Sequence, residues 1–235
     1  MKIEYIDLGT MAYQTAWDTQ LQYHQEVLDG KWPDGVVLLV EHPPVITLGR
    51  RPEAAAHVFH DATWLAQRGV ELITTDRGGD VTFHGPGQLV AYPIIPLQRY
   101  GLNVHRYMRV LEDSVIQTLG MFALTGIREA GATGVWVQRP DKSLAKVCAM
   151  GVKIKRWISL HGLALNVTTD LSYFDLINPC GLARPVTSMQ QLLPQNTPTF
   201  PEVKRAFRSA FTLSLYAIRS KVAVRDAGNE HAIPK

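Results

Sequence analysis

Residues 2–8 alternate apolar and polar side chains, which predicts a strand. Between Met11 and Leu28, Trp17, Leu21, His24 and Leu28 recur at helical spacing, and Gly30 supplies a stop. GVVLLVEH (35–42) is a short β-branched apolar run, the pattern of a buried strand. Pro43-Pro44 interrupts it, and VITLGR (45–50) resumes as another strand. Asp61 is placed to cap a short helix through Gln67, and strands follow at 70–75 and 88–97. Asn103 caps a helix to about Leu124 with Val104, Met108, Leu111, Val115 and Leu119 on one face. Three strand-like segments then come in succession, at 135–138, 146–154 and 158–167. Asp170 opens a short helix to Leu176. Pro201 and Glu202 open a last helix with Val203, Phe207, Phe211 and Leu215 along one stripe.

Long helices separated by groups of strands favour α+β, or mixed α/β with an antiparallel sheet, over strict βαβ alternation. No linker divides the chain, so residues 1–224 read as one domain, with room for a small lobe in the C-terminal third, and 225–235 read as a polar tail. With 235 residues and 46% hydrophobic content, the chain can bury a substantial core without staples. Two cysteines imply no disulfide framework. The N-terminus lacks a signal-peptide run and no window reaches the length of a membrane span. The expectation is a soluble, cytoplasmic protein with reduced thiols and no membrane partner. A net charge of +3 does not establish nucleic-acid binding, and none is expected. The clusters Lys153, Lys155, Arg156 and Lys204, Arg205, Arg208 read as solvated faces, or as docking surface for acidic proteins.

The segment 76–88, DRGGDVTFHGPGQ, holds four glycines in thirteen residues, interleaved with Arg77, Asp80 and His84. It is neither a P-loop nor a GxGxxG fingerprint. A tight hairpin is the structural alternative to a loop that lets a ligand approach backbone. NPCG (178–181) sets Cys180 between a proline and a glycine, on irregular backbone rather than inside a strand. Taken alone, a loop cysteine is more often inert than catalytic. A nearby cation lowers a thiol pKa from about 8.5 and makes it reactive. Cys148, between apolar residues of KVCAMGV, reads as a core thiol. Strand alternation puts Lys146 on the same face as Cys148. Lys146 either snorkels to solvent or faces Cys180 as that cation. His161-Gly162 suggests a bulge or a close backbone approach. The histidines show no metal-ligand spacing, and no G-x-S-x-G elbow is present.

Together, HPPVITLGR (42–50), RGGDVTFHGPGQLVAYPI (77–94), KVCAMGVKI (146–154), HGLALNV (161–167) and FDLINPCG (174–181) resemble the lipoyl/octanoyl transferases of bacterial lipoate biosynthesis. Related lipoate–protein ligases typically carry a serine before three glycines and an aspartate after the histidine. Here Asp80 and Gly85-Pro86-Gly87 stand in that region. The resemblance implies a mixed α/β domain of the biotin/lipoate ligase type with a mostly antiparallel sheet. It implies octanoyl-acyl carrier protein as donor, delivering on phosphopantetheine with neither ATP nor metal. It implies as acceptors the lipoyl domains of 2-oxoacid dehydrogenase complexes and the glycine cleavage H protein. It carries the acyl-thioester cysteine onto Cys180 and its partner lysine onto Lys146. Substrate contacts fall on Arg77, Gly78, Gly79, Asp80, Val81, Thr82, Phe83 and His84, on Ala149, Met150 and Gly151, and on Gly162, Leu163 and Ala164. Acidic partners would meet Arg77, Lys153, Lys155 and Arg156. The alternatives are an ATP-dependent lipoate ligase and a non-catalytic acyl- or carrier-binding module.

Overall fold

The computed structural model describes residues 2–139, 141–178 and 184–229, with side chains to 218. Ten strands and five α-helices alternate in groups along it: β1 (Glu4–Thr10), α1 (Tyr13–Leu28), β2 (Val36–Glu41), β3 (Val45–Leu48), α2 (Ala62–Ala66), β4 (Glu71–Thr74), β5 (Thr82–His84), β6 (Gln88–Ile94), α3 (Val104–Gly120), β7 (Gly126–Glu129), β8 (Ala132–Gln138), β9 (Leu144–Lys155), β10 (Ile158–Asn166), α4 (Met189–Leu192) and α5 (Phe200–Asn229). The helix α5 thus runs five residues into the stretch that the sequence reads as a tail, and 230–235 lie outside the described residues.

Seven strands form one sheet in the order β1-β2-β6-β10-β9-β8-β7. Only β1 and β2 run parallel; the other neighbours are antiparallel. Three strands form a second, smaller sheet, β4-β3-β5. The central strands β6 and β10 are buried at every position, because helices cover both faces of the large sheet. Alternation divides their side chains. Val37, Leu39, Leu89, Ala91, Leu163 and Leu165 pack with α3 and α5, while Val36, Leu38, Val40, Val90, Tyr92 and Ala164 pack with α1. The stripe Val203, Phe207, Phe211 and Leu215 is fully buried in the first of these clusters, which also holds Ile3 from the other end of the chain.

Two helix faces differ from their hydrophobic reading. On α1 the buried positions are Tyr13, Ala16, Gln20, His24 and Val27, and Leu21 stays 41% exposed. Gln20 and His24 can be buried because each finds a backbone partner: Gln20 Oε1 accepts from His161 N at 2.8 Å, and a ring nitrogen of His24 meets Lys155 O at 3.0 Å. On α3, Leu111, Val115 and Leu119 face the core as expected, but Val104 is exposed at the first turn and Tyr107 and Val110 take its place. Asp61 and Asn103 cap α2 and α3 as their positions imply, accepting from Trp64 N and Arg106 N.

Between α1 and the sheets lies a buried polar layer. His42 bonds Met11 O through Nδ1 at 2.7 Å and the Tyr92 hydroxyl through Nε2 at 2.8 Å. A carbonyl only accepts, so Nδ1 carries the proton and Nε2 receives one from Tyr92. Burial pulls the His42 pKa down from 6.5 to about 4, and full burial holds His84 well below its ordinary value too. A histidine with a depressed folded pKa binds fewer protons folded than unfolded between those two values. Its contribution is therefore complete above pH 6.5 and lost as pH falls toward 4. For His42 the shift corresponds to roughly 3 kcal/mol. We expect denaturant midpoints to fall from pH 7 to pH 5, and the fall to be shallower in His42→Gln. An equal slope in the two proteins would remove His42 as a source.

Candidate active site

The predicted substrate contacts lie on two neighbouring strands of the large sheet and on the glycine-rich loop, whose Gly78 touches one of those strands. On the large sheet, Ala149, Met150 and Gly151 of β9 lie directly opposite Ala164, Leu163 and Gly162 of β10. Gly162 permits a close backbone approach: a Cβ there would stand 2.1 Å from Ala91 O. Beside it, His161 adopts φ 57°, so the expected irregularity at His161-Gly162 is real.

The loop lies on this surface. Gly78 N donates to Val152 O at 2.9 Å, and a Cβ on Gly151 would fall 2.5 Å from Gly78 O. Only glycine lets loop and strand touch there. Of the loop's predicted substrate contacts, several side chains are committed to holding its own shape. Arg77 is buried, donating to Thr47 O at 2.8 Å, to Thr47 Oγ1 at 3.0 Å and to Asp80 O at 2.7 Å. Asp80 accepts from Val81 N at 2.7 Å and pairs with His57 at 2.9 Å. Thr82, Phe83 and His84 form β5, an antiparallel neighbour of β3, where the residue pattern predicts no strand. Phe83 stacks on Tyr173 with ring centroids 4.6 Å apart and, like Val81, belongs to the small sheet's core, whereas Leu163 and Met150 belong to the large one. Arg77 is only 7% exposed, so it is not part of a docking surface. Lys153 is tied to Asp76, and Lys155 and Arg156 mark the β9–β10 turn, at the opposite end of β9 from Lys146.

Lys146 sits near the start of β9, half-buried, with Nζ 4.7 Å from the centre of the Trp136 ring. The Arg184 guanidinium lies 5.2 Å from the same ring. A bulge at Val147 corrects the expected shared face of Lys146 and Cys148. Val135 pairs with Cys148 but Trp136 with Lys146, so an extra residue intervenes and alternation breaks. Val147 and Cys148 are both fully buried. Burial drives the Cys148 thiol far above its ordinary range, as befits an inert core thiol. Gly134 makes room for the bulge: its φ is 118°, and a Cβ there would meet Cys148 O at 2.5 Å and Lys146 Cε at 3.5 Å.

Cys180 lies outside the described residues, as do its neighbours from 179 to 183. The chain on either side is anchored. Asn178 N donates to His57 O at 2.8 Å. After the gap, Lys146 N donates to Pro185 O at 2.9 Å and Thr187 N donates to Lys146 O at 3.0 Å.

Sequence reasoning found Arg77 and His84 but missed Thr47, Gln88 and Asn166, which join these parts. Thr47 Oγ1, which accepts from Arg77, stands 3.5 Å from His84 Nε2. His84 Nδ1 meets Gln88 Oε1 at 2.8 Å, Gln88 Nε2 donates to Asn166 Oδ1 at 2.9 Å, and Asn166 Nδ2 donates to Thr187 O at 3.0 Å. Donors and acceptors alternate without conflict when His84 is neutral with its proton on Nδ1, the state its burial imposes. The chain of bonds runs from the glycine-rich loop to the segment clasping Lys146. Gln88 and Asn166 end or begin strands and carry no local sign of this role. Trp136 and Gly134 were equally silent, since both look like ordinary strand and turn residues.

Residues 12–212 match the model of the lipoyl protein ligase A/B catalytic domain. The chain is 51% identical over 200 residues to an octanoyltransferase of Chloroflexus aurantiacus, an alignment spanning 83% of this chain and 86% of the relative. It is 46% identical over 189 residues to an octanoyltransferase of Gloeobacter violaceus, spanning 80% of each. Among solved structures, it is similar in fold to a bipartite lipoate protein ligase of Thermoplasma acidophilum, with TM-score 0.70 and 16% identity over 92% of this chain and 84% of that one. Lipoate-protein ligase A bound with ATP gives TM-score 0.69 and 16% identity, over 92% and 86%. Mixed α/β architecture, matched domain and close relatives agree: the chain belongs to the lipoyl protein ligase A/B catalytic-domain family, with the octanoyltransferases.

Proposed function

We propose that this protein is an acyltransferase that moves an octanoyl group from octanoyl-acyl carrier protein to a lysine of lipoyl domains, through a thioester on Cys180. The observation that carries the reading is the 51% identity to an octanoyltransferase, and the NPCG motif and Lys146 in the sequence support it. The acceptors are the lipoyl domains of 2-oxoacid dehydrogenase complexes and the glycine cleavage H protein.

The Cys180 thiolate attacks the donor carbonyl, the phosphopantetheine thiolate leaves and takes a proton, and an octanoyl thioester remains on the enzyme. The acceptor amine then attacks this thioester, loses a proton, and releases Cys180 as thiol with an amide formed. Lys146 favours the thiolate, as an ammonium beside it or as the base that takes its proton. Support for that role comes from the anchoring of both flanks of the cysteine segment, one of them on the Lys146 backbone itself. Thioester exchange is near neutral and thioester-to-amide transfer is downhill, so the sequence of steps runs without ATP. At about 0.8 kcal/mol per buried CH₂, the carbons beyond the octanoyl carbonyl contribute roughly 5 kcal/mol before costs, enough for a length preference.

Intact-protein mass spectrometry tests the intermediate. After mixing with octanoyl-acyl carrier protein, the native chain gains one octanoyl group and Cys180→Ala gains none, with transfer abolished. Full transfer by Cys180→Ala would instead favour a binding module, and turnover of free octanoate with ATP alone would favour a ligase. Lys146→Ala is expected to slow acylation most near neutral pH and to recover toward alkaline pH, where the thiol ionises unaided. A pH–rate profile identical to that of the native enzyme would take Lys146 out of the mechanism.

A further inference from the structure

The glycine-rich loop belongs to the small sheet, whereas Ala149–Gly151 and Gly162–Ala164 belong to the large one. An acyl chain bound by both sets requires the two bodies to be held in fixed register. Asp76, immediately before Arg77, reaches across this junction. Its Oδ1 lies 2.7 Å from His161 Nε2 on β10, and its Oδ2 pairs with Lys153 on β9. One carboxylate thus fastens the start of the loop to two adjacent strands at once.

His161 is built for this reach at a conformational cost. A non-glycine residue at φ 57° inside a strand is strained, and such strain persists only where the surroundings enforce it. Three contacts do so. The His161 N–H goes to Gln20 Oε1 at 2.8 Å, its ring lies 5.7 Å from that of Trp17, and its Nε2 faces Asp76. The imidazole is 1% exposed. A histidine with no task beyond packing would not need a left-handed backbone, a captured amide and a carboxylate partner on the loop.

We infer that Asp76 and His161 are positioning residues that set the glycine-rich loop over Gly162–Ala164, and so fix the register of the acyl chain rather than the chemistry at its carbonyl. Their effect therefore grows with the length of acyl chain in contact with the loop. A long acyl group depends on the junction, while an acetyl group, bearing almost no chain, does not. The inference rests on the octanoyl-transfer reading, and the closing experiment separates the two.

The rate of thioester formation is measured by intact-protein mass spectrometry with S-octanoyl- and S-acetyl-pantetheine on the native chain, Asp76→Asn, His161→Gln and Asp76→Glu. Misplaced binding surfaces of this kind cost on the order of ten- to a hundred-fold. That loss is expected in the octanoyl-to-acetyl preference of Asp76→Asn and His161→Gln, through a raised KM for the octanoyl donor, with Asp76→Glu recovering part of it. Should Asp76→Asn fail to fold, His161→Asn supplies the same reading, because asparagine accepts left-handed backbone and its shorter side chain withdraws the donor from Asp76. Variants that keep the native preference, or that lose octanoyl and acetyl rates in equal proportion, overturn the positioning role alone. No adduct on the native chain with either donor overturns the octanoyl-transfer reading with it.

Discussion

The arrangement of this site depends on one unbroken chain of hydrogen bonds. It starts at the Arg77 guanidinium, passes through Thr47, His84, Gln88 and Asn166, and ends at Thr187, whose own N–H rests on the Lys146 carbonyl. All of its side chains are buried, so each missing link would strand a polar group away from water. The chain also accommodates His84 in its neutral form. His84 donates through Nδ1, its other nitrogen faces the Thr47 hydroxyl, and burial keeps a second proton off the ring. The loop and the Lys146 segment, 69 positions apart between Arg77 and Lys146, are in this way parts of one rigid assembly.

Two sheets of unequal size make that assembly necessary. The large sheet is held by two apolar clusters on its faces, and the small sheet has a third of its own around Ile46, Leu65 and Phe83. Apolar burial fixes each body but says little about their mutual register, because it is non-directional. Directional contacts do that work: the Gly78–Val152 bond, the tight seat of Gly78 on Gly151, and the carboxylate of Asp76. The acyl group invoked for the reaction would rest on both bodies, so its placement inherits the accuracy of these few contacts.

Much of this was legible from residues alone. The apolar stripe of α5, the caps Asp61 and Asn103, and the run of strands after residue 134 each carry a local physical signature, and each appears in the fold. What escaped was non-local. Thr82–His84 pairs as a strand only because β3 offers it an edge, and three residues rich in neighbouring glycine give no period to detect. The α1 face was misread at Leu21 and Gln20, though not at His24, because hydrophobicity cannot reveal that Gln20 would find a backbone partner across the interface. The loop residues showed the reverse. Their importance was plain from the motif, yet Arg77 and Asp80 turn inward to brace the loop.

The extra residue at Val147 sets a strict count along β9. Only four positions lie between Lys146 and Gly151, and the break in alternation between them decides which side of the sheet the ammonium occupies. Adding or deleting a single residue in that interval would leave every recognisable motif intact. It would nonetheless turn Lys146 away from the indole that now carries it, relative to a glycine seat that cannot shift. Spacing along β9 thus fixes the face that Lys146 occupies as firmly as the side chains packed around it do.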